Sequence, residues 1–593
     1  MSSLKHKISI YSTRAQQVFA SFSFKKRSSR ISQLDIDKKL VYSLSPRKIP
    51  SSRQFKHLHR FLNPKENLVI KICGILVIIN LVYLGIVYFK KHIQLTPAVG
   101  GIYTEAMVGY PKLVNPLYAA SRDVDNDLSR LIYSSLFKYN TNGEIVQDLV
   151  ENYQISEDKK EYLITIKDKV KWHNGEILTV DDIIFTINLI KDETYRSPLR
   201  AELSGVNTEK IDDRTVKLIL PEPYAPFLEM LTFGIMPKNI WETIGADAAG
   251  LTDLNLKPIG SGPYKFKSLV KSKSGDLKEY HLEVNTEYYN QVAYIKSLNF
   301  KFFPDYIEAI KSFNSNQVDG LSYLPFDQRP ELLKKDSANI FDLIRPQIVG
   351  IFFNQTKNKS LENKDLRIAL AKAINKTQIL NDIFAGVYKD ADSPILKTNF
   401  AYNNSITKYN YAPEESRAIL KDKTFKIVLT VIDLNSNVAI ADKIKTDWAT
   451  VGMEVELKII PLEQASNIIK NRDFEALLYG QSVGGDPDVF AFWHSTQTGA
   501  KGLNIAGYNN AEVDKLLTEA RVDIVVEGRK EKYNRFQEII TAEVPAIFLY
   551  SPTYTYVQSK KIKGFDGQAA IEPADRLSNI SNWYIKTNKK LTW

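Results

Sequence analysis

One apolar run near the start of the chain is long enough to cross a bilayer. It extends from Ile72 to Phe89 without a charged residue, and the apolar residues Leu68–Ile70 precede it. About 20 apolar residues in a helix span the hydrocarbon core. Residues 67–90 are therefore predicted to form one transmembrane helix. The run is longer than the apolar core of a cleaved signal peptide and begins far from Met1, so we expect an uncleaved signal anchor.

After about residue 100, short strands and helices alternate along the chain. Val216–Leu220 has the alternation of a strand, and Thr179–Asp182 has the residues of a capping box before a helix. Asp365–Lys376 has apolar residues at helical spacing. These patterns predict an α/β fold with mixed sheets. Further helices are predicted at Pro413–Leu420 and Asn510–Ala520, further strands at Phe425–Val431 and Phe474–Tyr479, and lobe crossings at the turns Gly260–Pro263 and Gly484–Pro487.

The positive charge of the chain lies almost entirely before the apolar run. The formal net charge is +11, but residues 1–66 carry 15 Lys/Arg against Asp35, Asp37 and Glu66. By the positive-inside rule, residues 1–66 face the cytoplasm and the body lies outside, in the periplasm or at the cell exterior. We expect a disordered tail that rests on anionic lipid headgroups. A specific cytoplasmic partner of the tail, such as RNA or a protein, is the alternative; the body has no excess positive charge for nucleic acid.

The sequence offers one catalytic motif, and its context is wrong. Gly480–Gly484 fits the G-x-S-x-G pattern around Ser482 and follows an apolar strand. A nucleophile elbow must enter a helix at once, whereas Gly-Asp-Pro follows here, and His494 is the one later histidine. Histidines outside the tail are dispersed, and no phosphate or dinucleotide loop is present. We therefore predict a binder rather than an enzyme, with no cofactor and no metal site, and a structural or surface role for His173.

Several segments match one family in order along about 450 residues. They are Trp172–Gly175 before the capped helix, Gly260–Tyr264, Phe353–Asn354 followed by Asp365–Leu370 and Ala373–Lys376, Tyr411–Leu420, Gly485–Asp488, Gly507–Asn510 and Glu543–Leu549. Together they resemble the family 5 extracellular solute-binding proteins, which are the peptide, nickel and oligosaccharide receptors of ABC importers.

The resemblance implies a periplasmic-binding-protein-like Venus-flytrap, with two mixed-sheet lobes and an extra domain after the transmembrane helix. The ligand would lie in the cleft between lobes I and III, and closure of the cleft would trap it. The implied segments are residues 100–136, 260–345 and 553–593 for lobe I, 137–259 for domain II, and 346–552 for lobe III.

The same resemblance implies ligand contacts in lobe III. In peptide-binding members an aspartate of the Gly-Asp-Pro-Asp region holds the peptide's α-ammonium; Asp486 is the matching residue and Asp488 the second. The alternative is that Asp486 only opens an Asp-Pro turn. Ile348–Asn354, which ends at Asn354, is a candidate edge strand for main-chain pairing, and a place in the buried core is the favoured alternative for such an apolar run. Tyr479 and Trp493 are candidates for lining side-chain pockets, with the core as their alternative location.

These observations predict a membrane-anchored, monomeric receptor that captures oligopeptides and delivers them to an ABC permease. Two alternatives stay open at this point. One is a non-peptide solute, such as a nickel complex or a sugar. The other is a surface sensor or scaffold that kept the fold without transport.

Overall fold

The computed structural model describes residues 36–37, 62–333, 335–421 and 423–591. The predicted cytoplasmic tail, residues 1–66, lies outside the described residues except for 36–37 and 62–66. The chain divides into two compact units, one of which comprises Thr96–Asn588.

The apolar run forms a continuous helix, α1 (Pro64–His92). Asn63 and Glu66 form a capping box at its start and Pro64 occupies the first turn, so three local signals begin the helix at one point. None of its residues is buried within the protein. Of the helices in the described part of the chain, it is the one long and apolar enough to cross a membrane. The predicted span therefore exists as a helix of the expected length.

The remaining helices are, in chain order, α2 (Asp123–Ile132), α3 (Val180–Lys191), α4 (Arg200–Leu203), α5 (Lys238–Trp241), α6 (Ala246–Ala249), α7 (Tyr306–Asn314), α8 (Lys364–Ala373), α9 (Lys376–Phe384), α10 (Pro413–Leu420), α11 (Asn435–Thr450), α12 (Leu462–Asn471), α13 (Phe490–Trp493), α14 (Ala511–Val522) and α15 (Val526–Glu543).

The strands are β1 (Ile93–Ala98), β2 (Ile102–Val108), β3 (Phe137–Tyr139), β4 (Ile145–Gln147), β5 (Val150–Ile155), β6 (Glu161–Ile166), β7 (Asn207–Lys210), β8 (Thr215–Ile219), β9 (Tyr264–Lys271), β10 (Leu277–Val284), β11 (Ser297–Phe303), β12 (Gly320–Leu321), β13 (Ala338–Ile344), β14 (Gln347–Phe353), β15 (Lys389–Asp390), β16 (Phe425–Ile432), β17 (Met453–Ile460), β18 (Ala476–Ser482), β19 (Ala546–Ser551), β20 (Thr553–Ser559) and β21 (Lys586–Leu591).

Three larger sheets organise the body. A seven-stranded sheet has the order β13-β20-β12-β2-β11-β10-β9, a six-stranded sheet β15-β19-β14-β18-β16-β17, and a four-stranded sheet β5-β6-β8-β7. The first two are mixed, since β2 and β11 run parallel whereas β10 and β11 run antiparallel, and β16 is parallel to β17 whereas β14 is antiparallel to β18. The predicted mixed-sheet α/β class is confirmed. Two-stranded sheets join β3 to β4 and β1 to β21.

Each of the three larger sheets lies within the segments implied for one lobe or domain. The strands of the seven-stranded sheet lie in the lobe I segments, those of the six-stranded sheet in lobe III, and those of the four-stranded sheet in domain II. Each has its own buried apolar cluster. The chain passes between lobes I and III at Arg345–Pro346 and at Pro552, and the Ser551 hydroxyl donates to the Arg345 carbonyl at 3.2 Å. We keep the names lobe I, domain II and lobe III; their exact boundaries stay a prediction.

The local patterns explain where most elements begin and end. Thr179 caps α3 with Asp182 as predicted, and α10 spans the predicted residues Pro413–Leu420. The predicted helix 365–376 is too long. Ile374 is extended, with φ −89° and ψ 124°, and the Asn375 side chain accepts from the Gln378 N–H to begin α9.

Two other predictions of detail are wrong. β14, which contains most of Ile348–Asn354, pairs with β18 on one side and β19 on the other, so it is not an edge strand. The Gly484–Pro487 turn joins β18 to α13 within lobe III rather than crossing between lobes. Gly260–Pro263 does lead from the domain II segment into β9 of the seven-stranded sheet.

Candidate functional site

A cavity of about 1040 Å³ lies where lobe I, domain II and lobe III meet. Lobe I supplies residues of α2 and the segment near Glu572, domain II supplies residues 199–234 and Tyr139, and lobe III supplies residues of the β18–α13 loop and α14. The volume is at the upper end of the range of small-molecule sites. A cavity enclosed by three parts of the chain is suited to hold a solute between them.

A short 3₁₀ helix, Ala225–Leu231, forms much of the domain II wall. The segment Pro221-Glu-Pro-Tyr-Ala-Pro226 precedes and opens it, and the prolines fix the backbone there. Phe227 is buried in the domain II core, while Tyr224 and Glu229 are half-buried at the cavity. The core therefore positions two polar side chains on the wall of the cavity.

Lobe III meets domain II at Gly485. A Cβ placed on Gly485 would lie 3.1 Å from Glu229 Oε1 and 3.1 Å from Tyr139 Cε1. The next residue, Asp486, lies close enough to the Glu229 carboxyl group to affect its pKa. Burial raises the pKa of Glu229 to about 7, and the charge of Asp486 adds to the effect. The absence of a side chain at position 485 is therefore what allows this close approach.

A second contact between the two walls involves Arg521. Its Nε donates to Asp488 Oδ2 at 3.0 Å, within lobe III. The guanidinium lies over the Tyr224 ring of domain II, 5.1 Å from its centroid, and over Phe490, at 4.5 Å. The Tyr224 hydroxyl also donates to Asp488 Oδ2 at 3.4 Å. Arg521 is thus fixed by one carboxylate and two rings at the cavity wall.

The two aspartates of the Gly-Asp-Pro-Asp turn are both paired with arginines. Arg529 Nη1 and Nη2 donate to Asp486 Oδ2 and Oδ1 at 2.8 and 2.5 Å, and the Asp488 N–H donates to Asp486 Oδ1 at 2.9 Å. Burial raises the pKa of Asp486, although the Arg529 guanidinium opposes the shift. Asp486 and Asp488 both lie behind the cavity wall rather than on it.

The opposing walls differ in charge. Glu202, Glu222, Glu229 and Glu572 line the side formed by lobe I and domain II, together with Arg130, which pairs with Glu572 at 3.1 Å and Asp575 at 3.7 Å. Burial raises the pKa of Glu202, and the nearby Glu572 adds to the shift. The lobe III side carries hydroxyls, His494 and Arg521. The cavity is therefore rich in carboxylates on one side and has hydroxyls and one arginine, paired with Asp488, on the other.

The family model for bacterial extracellular solute-binding proteins, family 5 (middle), matches residues 144–502, which is more than half of the chain. The chain is a family 5 solute-binding protein. Members of this family bind solutes and are not enzymes, so the prediction of a non-enzymatic protein is confirmed. The predicted solute-binding fold is confirmed as well.

Named relatives of this solute-binding protein bind peptides. The oligopeptide-binding protein AppA of Bacillus subtilis is 26% identical over 520 residues, covering 82% of this chain and 92% of AppA. The dipeptide-binding protein of Escherichia coli K12 is 27% identical over 498 residues, covering 77% and 90%. The solved structure of AppA with a nonapeptide superposes with a TM-score of 0.64 at 25% identity, over 83% of this chain and all of that one.

The ligand-contact residues predicted in this solute-binding protein do not come together at the cavity. Trp493 is 1% exposed and packs against Phe352 and Phe548 in the lobe III core. Tyr479 is half-buried beside the same cluster. Asn354 is buried, with Nδ2 donating to the Arg472 carbonyl at 2.9 Å. Asp486 and Asp488 do not line the cavity either, so none of the five predicted residues lies on its wall. Their ligand roles stay predictions.

Sequence reasoning missed Tyr224, Glu229, Arg521 and Arg529. No local pattern distinguishes Arg521 or Arg529 from other helical arginines, because their role depends on a loop about 40 residues earlier. The Pro-rich segment around Tyr224 was a usable signal, since a rigid run between a strand and a short helix is typical of a fixed loop. Ser482, the candidate nucleophile, does line the cavity, but His494 bonds to Thr496 and Thr518 instead.

His173 has the hydrogen-bonded structural role that was one of its two predicted roles. Its Nε2 lies 3.1 Å from the Gly262 carbonyl and its Nδ1 accepts from the Gly260 N–H at 3.2 Å. Burial lowers the pKa of His173 to about 4. The neutral ring therefore holds the turn by which the chain enters lobe I.

Proposed function

We propose that this solute-binding protein captures oligopeptides in the cavity between its lobes and delivers them to an ABC permease. The cavity lined by Tyr224 and Arg521 is the observation that carries the proposal, because three parts of the chain enclose it and its walls bear carboxylates on one side and Arg521 on the other. A peptide with free ends has a positive charge at one end and a negative charge at the other, so its charges can pair with those of the two walls. The relatives named as oligopeptide- and dipeptide-binding proteins support a peptide rather than another solute.

We also propose that α1 anchors the protein in the membrane. The basic tail, residues 1–66, then lies in the cytoplasm and the body lies outside, in the periplasm or at the cell exterior. A receptor tethered to the bilayer stays at a high local concentration beside a permease in that membrane. A monomer suffices for this role, because one chain contains the whole cavity.

Recognition of a peptide ammonium by Asp486 requires a rearrangement. Arg529 occupies both carboxylate oxygens, so an incoming ammonium would have to displace the guanidinium or share the carboxylate with it. Binding of the ammonium by Asp486 is therefore kept as the alternative to binding by the carboxylates of the opposite wall, and Asp486→Asn tests it.

The bound material is the direct test. Full-length protein is purified from membranes in detergent, denatured, and the released small molecules are identified by mass spectrometry. We expect a series of peptides of varied sequence. Recovery of a single non-peptide solute would contradict the proposal, and protein that binds no added peptide would favour a sensor or scaffold. Carbonate extraction and protease protection of the tail test the anchor and its orientation.

A further inference from the structure

We infer that Arg521 is the carboxylate-binding residue of the cavity, and that the occupant lies with its carboxyl end toward lobe III. The inference rests on the proposed function and specifies which group of the peptide is recognised and where.

Arg521 is held in place by three neighbouring side chains. Its Nε is used by Asp488, and the Tyr224 and Phe490 rings lie against the guanidinium. Apart from the contact with the Tyr224 hydroxyl, the described residues provide no further hydrogen-bond or ion-pair partner for its two Nη groups. A guanidinium fixed in this way retains donors for a planar, bidentate partner, and a carboxylate has that geometry.

Arg521 is also accessible from the cavity. The Arg521 side chain is 35% exposed, whereas Arg529, the other arginine of this region, is 7% exposed and has both Nη groups on Asp486. Arg521 lines the cavity and Arg529 does not. Thr518, one turn earlier on α14, also lines it, so the same helix face adds a hydroxyl.

The charged residues around the cavity favour one orientation of a zwitterion. Among the described residues that lobe III contributes to the cavity, Arg521 is the one with a charged side chain. Carboxylates belong to the opposite side, where Glu202 has no hydrogen-bond or ion-pair partner among the described side chains. A zwitterion would therefore be stabilised with its carboxylate at Arg521 and its ammonium toward Glu202, and the reverse orientation would place like charges together.

The test compares two peptide pools on full-length protein stripped of bound solute. The pools contain the same random peptides of three to five residues, synthesised with a free carboxyl end or with a carboxamide end. We expect the wild type to favour the free acids by at least about tenfold, as for a hydrogen bond to a charged group. In Arg521→Gln the preference should fall to near one, through weaker binding of the acids. Lys515→Gln, on the exposed face of the same helix, should keep the wild-type preference.

A second variant separates recognition from folding. Arg521→Gln leaves Asp488, whose side chain is 8% exposed, without its arginine; the double variant Arg521→Gln/Asp488→Asn removes that unpaired charge. Loss of the acid preference in both variants supports the inference. Retention of the preference in either folded variant, or equal binding of both pools by the wild type, would overturn it while leaving peptide capture intact. Failure of the wild type to bind either pool would overturn the proposed function and the inference together.

Discussion

Arg529 and Asp486 form a bidentate ion pair within lobe III, with N–O distances of 2.8 and 2.5 Å. The two side chains are only 7% and 12% exposed. Both partners belong to lobe III, so the pair does not depend on contact between lobes. It fixes the turn that carries Gly485, the residue against which Glu229 and Tyr139 of domain II lie. Asp486 therefore contributes to the site at least by holding the loop that meets the opposite wall.

Replacement of Asp486 by Asn should destabilise the protein. Arg529 would keep a buried charge without a partner, and breaking a buried pair in this way costs about 3–5 kcal/mol. The free energy of unfolding from urea titration measures the effect. The double variant Asp486→Asn/Arg529→Gln should recover part of the loss, because it removes the unpaired charge. Asp473→Asn, which breaks a surface pair with Lys357, should change stability by less than about 1 kcal/mol.

The same variant tests recognition of the peptide ammonium. If Asp486 binds the ammonium, folded Asp486→Asn protein should bind peptide more weakly than folded wild type, by about 2–5 kcal/mol of binding free energy. If the pair with Arg529 is purely structural, folded Asp486→Asn protein should bind the peptide pools with nearly wild-type affinity. Titration of folded protein with peptides decides between the two results.

Replacement of Gly485 by Val should weaken ligand capture without a large loss of stability. The backbone of Gly485 does not need a positive φ, so a side chain is tolerated locally. Its Cβ would lie 3.1 Å from Glu229 Oε1 and from Tyr139 Cε1, and the branched side chain would force domain II and lobe III apart. Small-angle scattering should show a larger radius of gyration, and peptide affinity should fall by at least about tenfold.

Gly499→Val is the matched control, since a Cβ at Gly499 meets nothing within 4 Å. It should leave the radius of gyration and peptide affinity unchanged. Wild-type affinity in folded Gly485→Val protein would show that the approach of Glu229 to this loop is not needed for capture.

Contact between domain II and lobe III should weaken as pH rises. Burial raises the pKa of Glu229 from 4.5 to about 7, and the group faces Asp486 and Arg529 of lobe III and Tyr139 of domain II. Because the pKa is raised, the folded arrangement with Glu229 against lobe III is favoured when the carboxyl group is protonated. This contribution is complete below about pH 4.5 and is lost as pH rises through 7, by up to about 3 kcal/mol.

Peptide affinity measured between pH 5 and pH 8.5 checks this dependence, and we expect tighter binding at the acidic end. Glu229→Gln, which cannot ionise, should bind with little change across the range. Glu222→Gln, a change at an exposed residue of the same cavity, should retain the wild-type dependence. A flat wild-type profile would mean that Glu229 does not control closure.

The fold could be predicted where a residue pattern lies within one short segment, or where segments follow one another in the order found in the family. The uncharged run predicted α1, and Thr179 with Asp182 predicted the start of α3 because a capping box is contained within four residues. The end of α8 could not be predicted, since the stop at Ile374 depends on Asn375 capping the next helix. Lys376 continues the helical pattern, so periodicity alone favoured a longer helix.

The site could be predicted only as far as its region. The Gly-Asp-Pro-Asp turn was placed at the cleft by resemblance, and Gly485 does lie at the contact with domain II. Asp486 was predicted to bind the peptide ammonium or to open an Asp-Pro turn, and its pairing with Arg529, 43 residues away, was not predicted. Pairing over such a separation has no signature in one sequence. The same limit applies to Tyr224 and Asp488, which come from different parts of the molecule.

Protonation of His173 should lower the stability of the protein in mild acid. Its folded-state pKa is lowered from 6.5 to about 4, because burial and the Gly260 N–H donated to Nδ1 require a neutral ring. The contribution is therefore complete above about pH 6.5 and is lost as pH falls toward 4, by up to about 3 kcal/mol. Urea titrations of wild type and His173→Gln at pH 7.5 and pH 4.5 measure it.

The variant should be less stable than the wild type at pH 7.5, because Gln cannot reproduce both bonds of the ring to Gly260 and Gly262. It should lose less stability than the wild type between the two pH values, because it has no imidazole to protonate. His281→Gln is the control, since His281 is a half-buried residue of β10 that bonds to Glu279 rather than to the backbone of a turn. Equal losses in wild type and His173→Gln would assign the acid sensitivity to other groups. The buried carboxyls Asp127 and Asp575 are not among them, because their pKa values are raised to about 6 and their protonation favours the folded state as pH falls. The sign of the difference between the two proteins therefore identifies the imidazole.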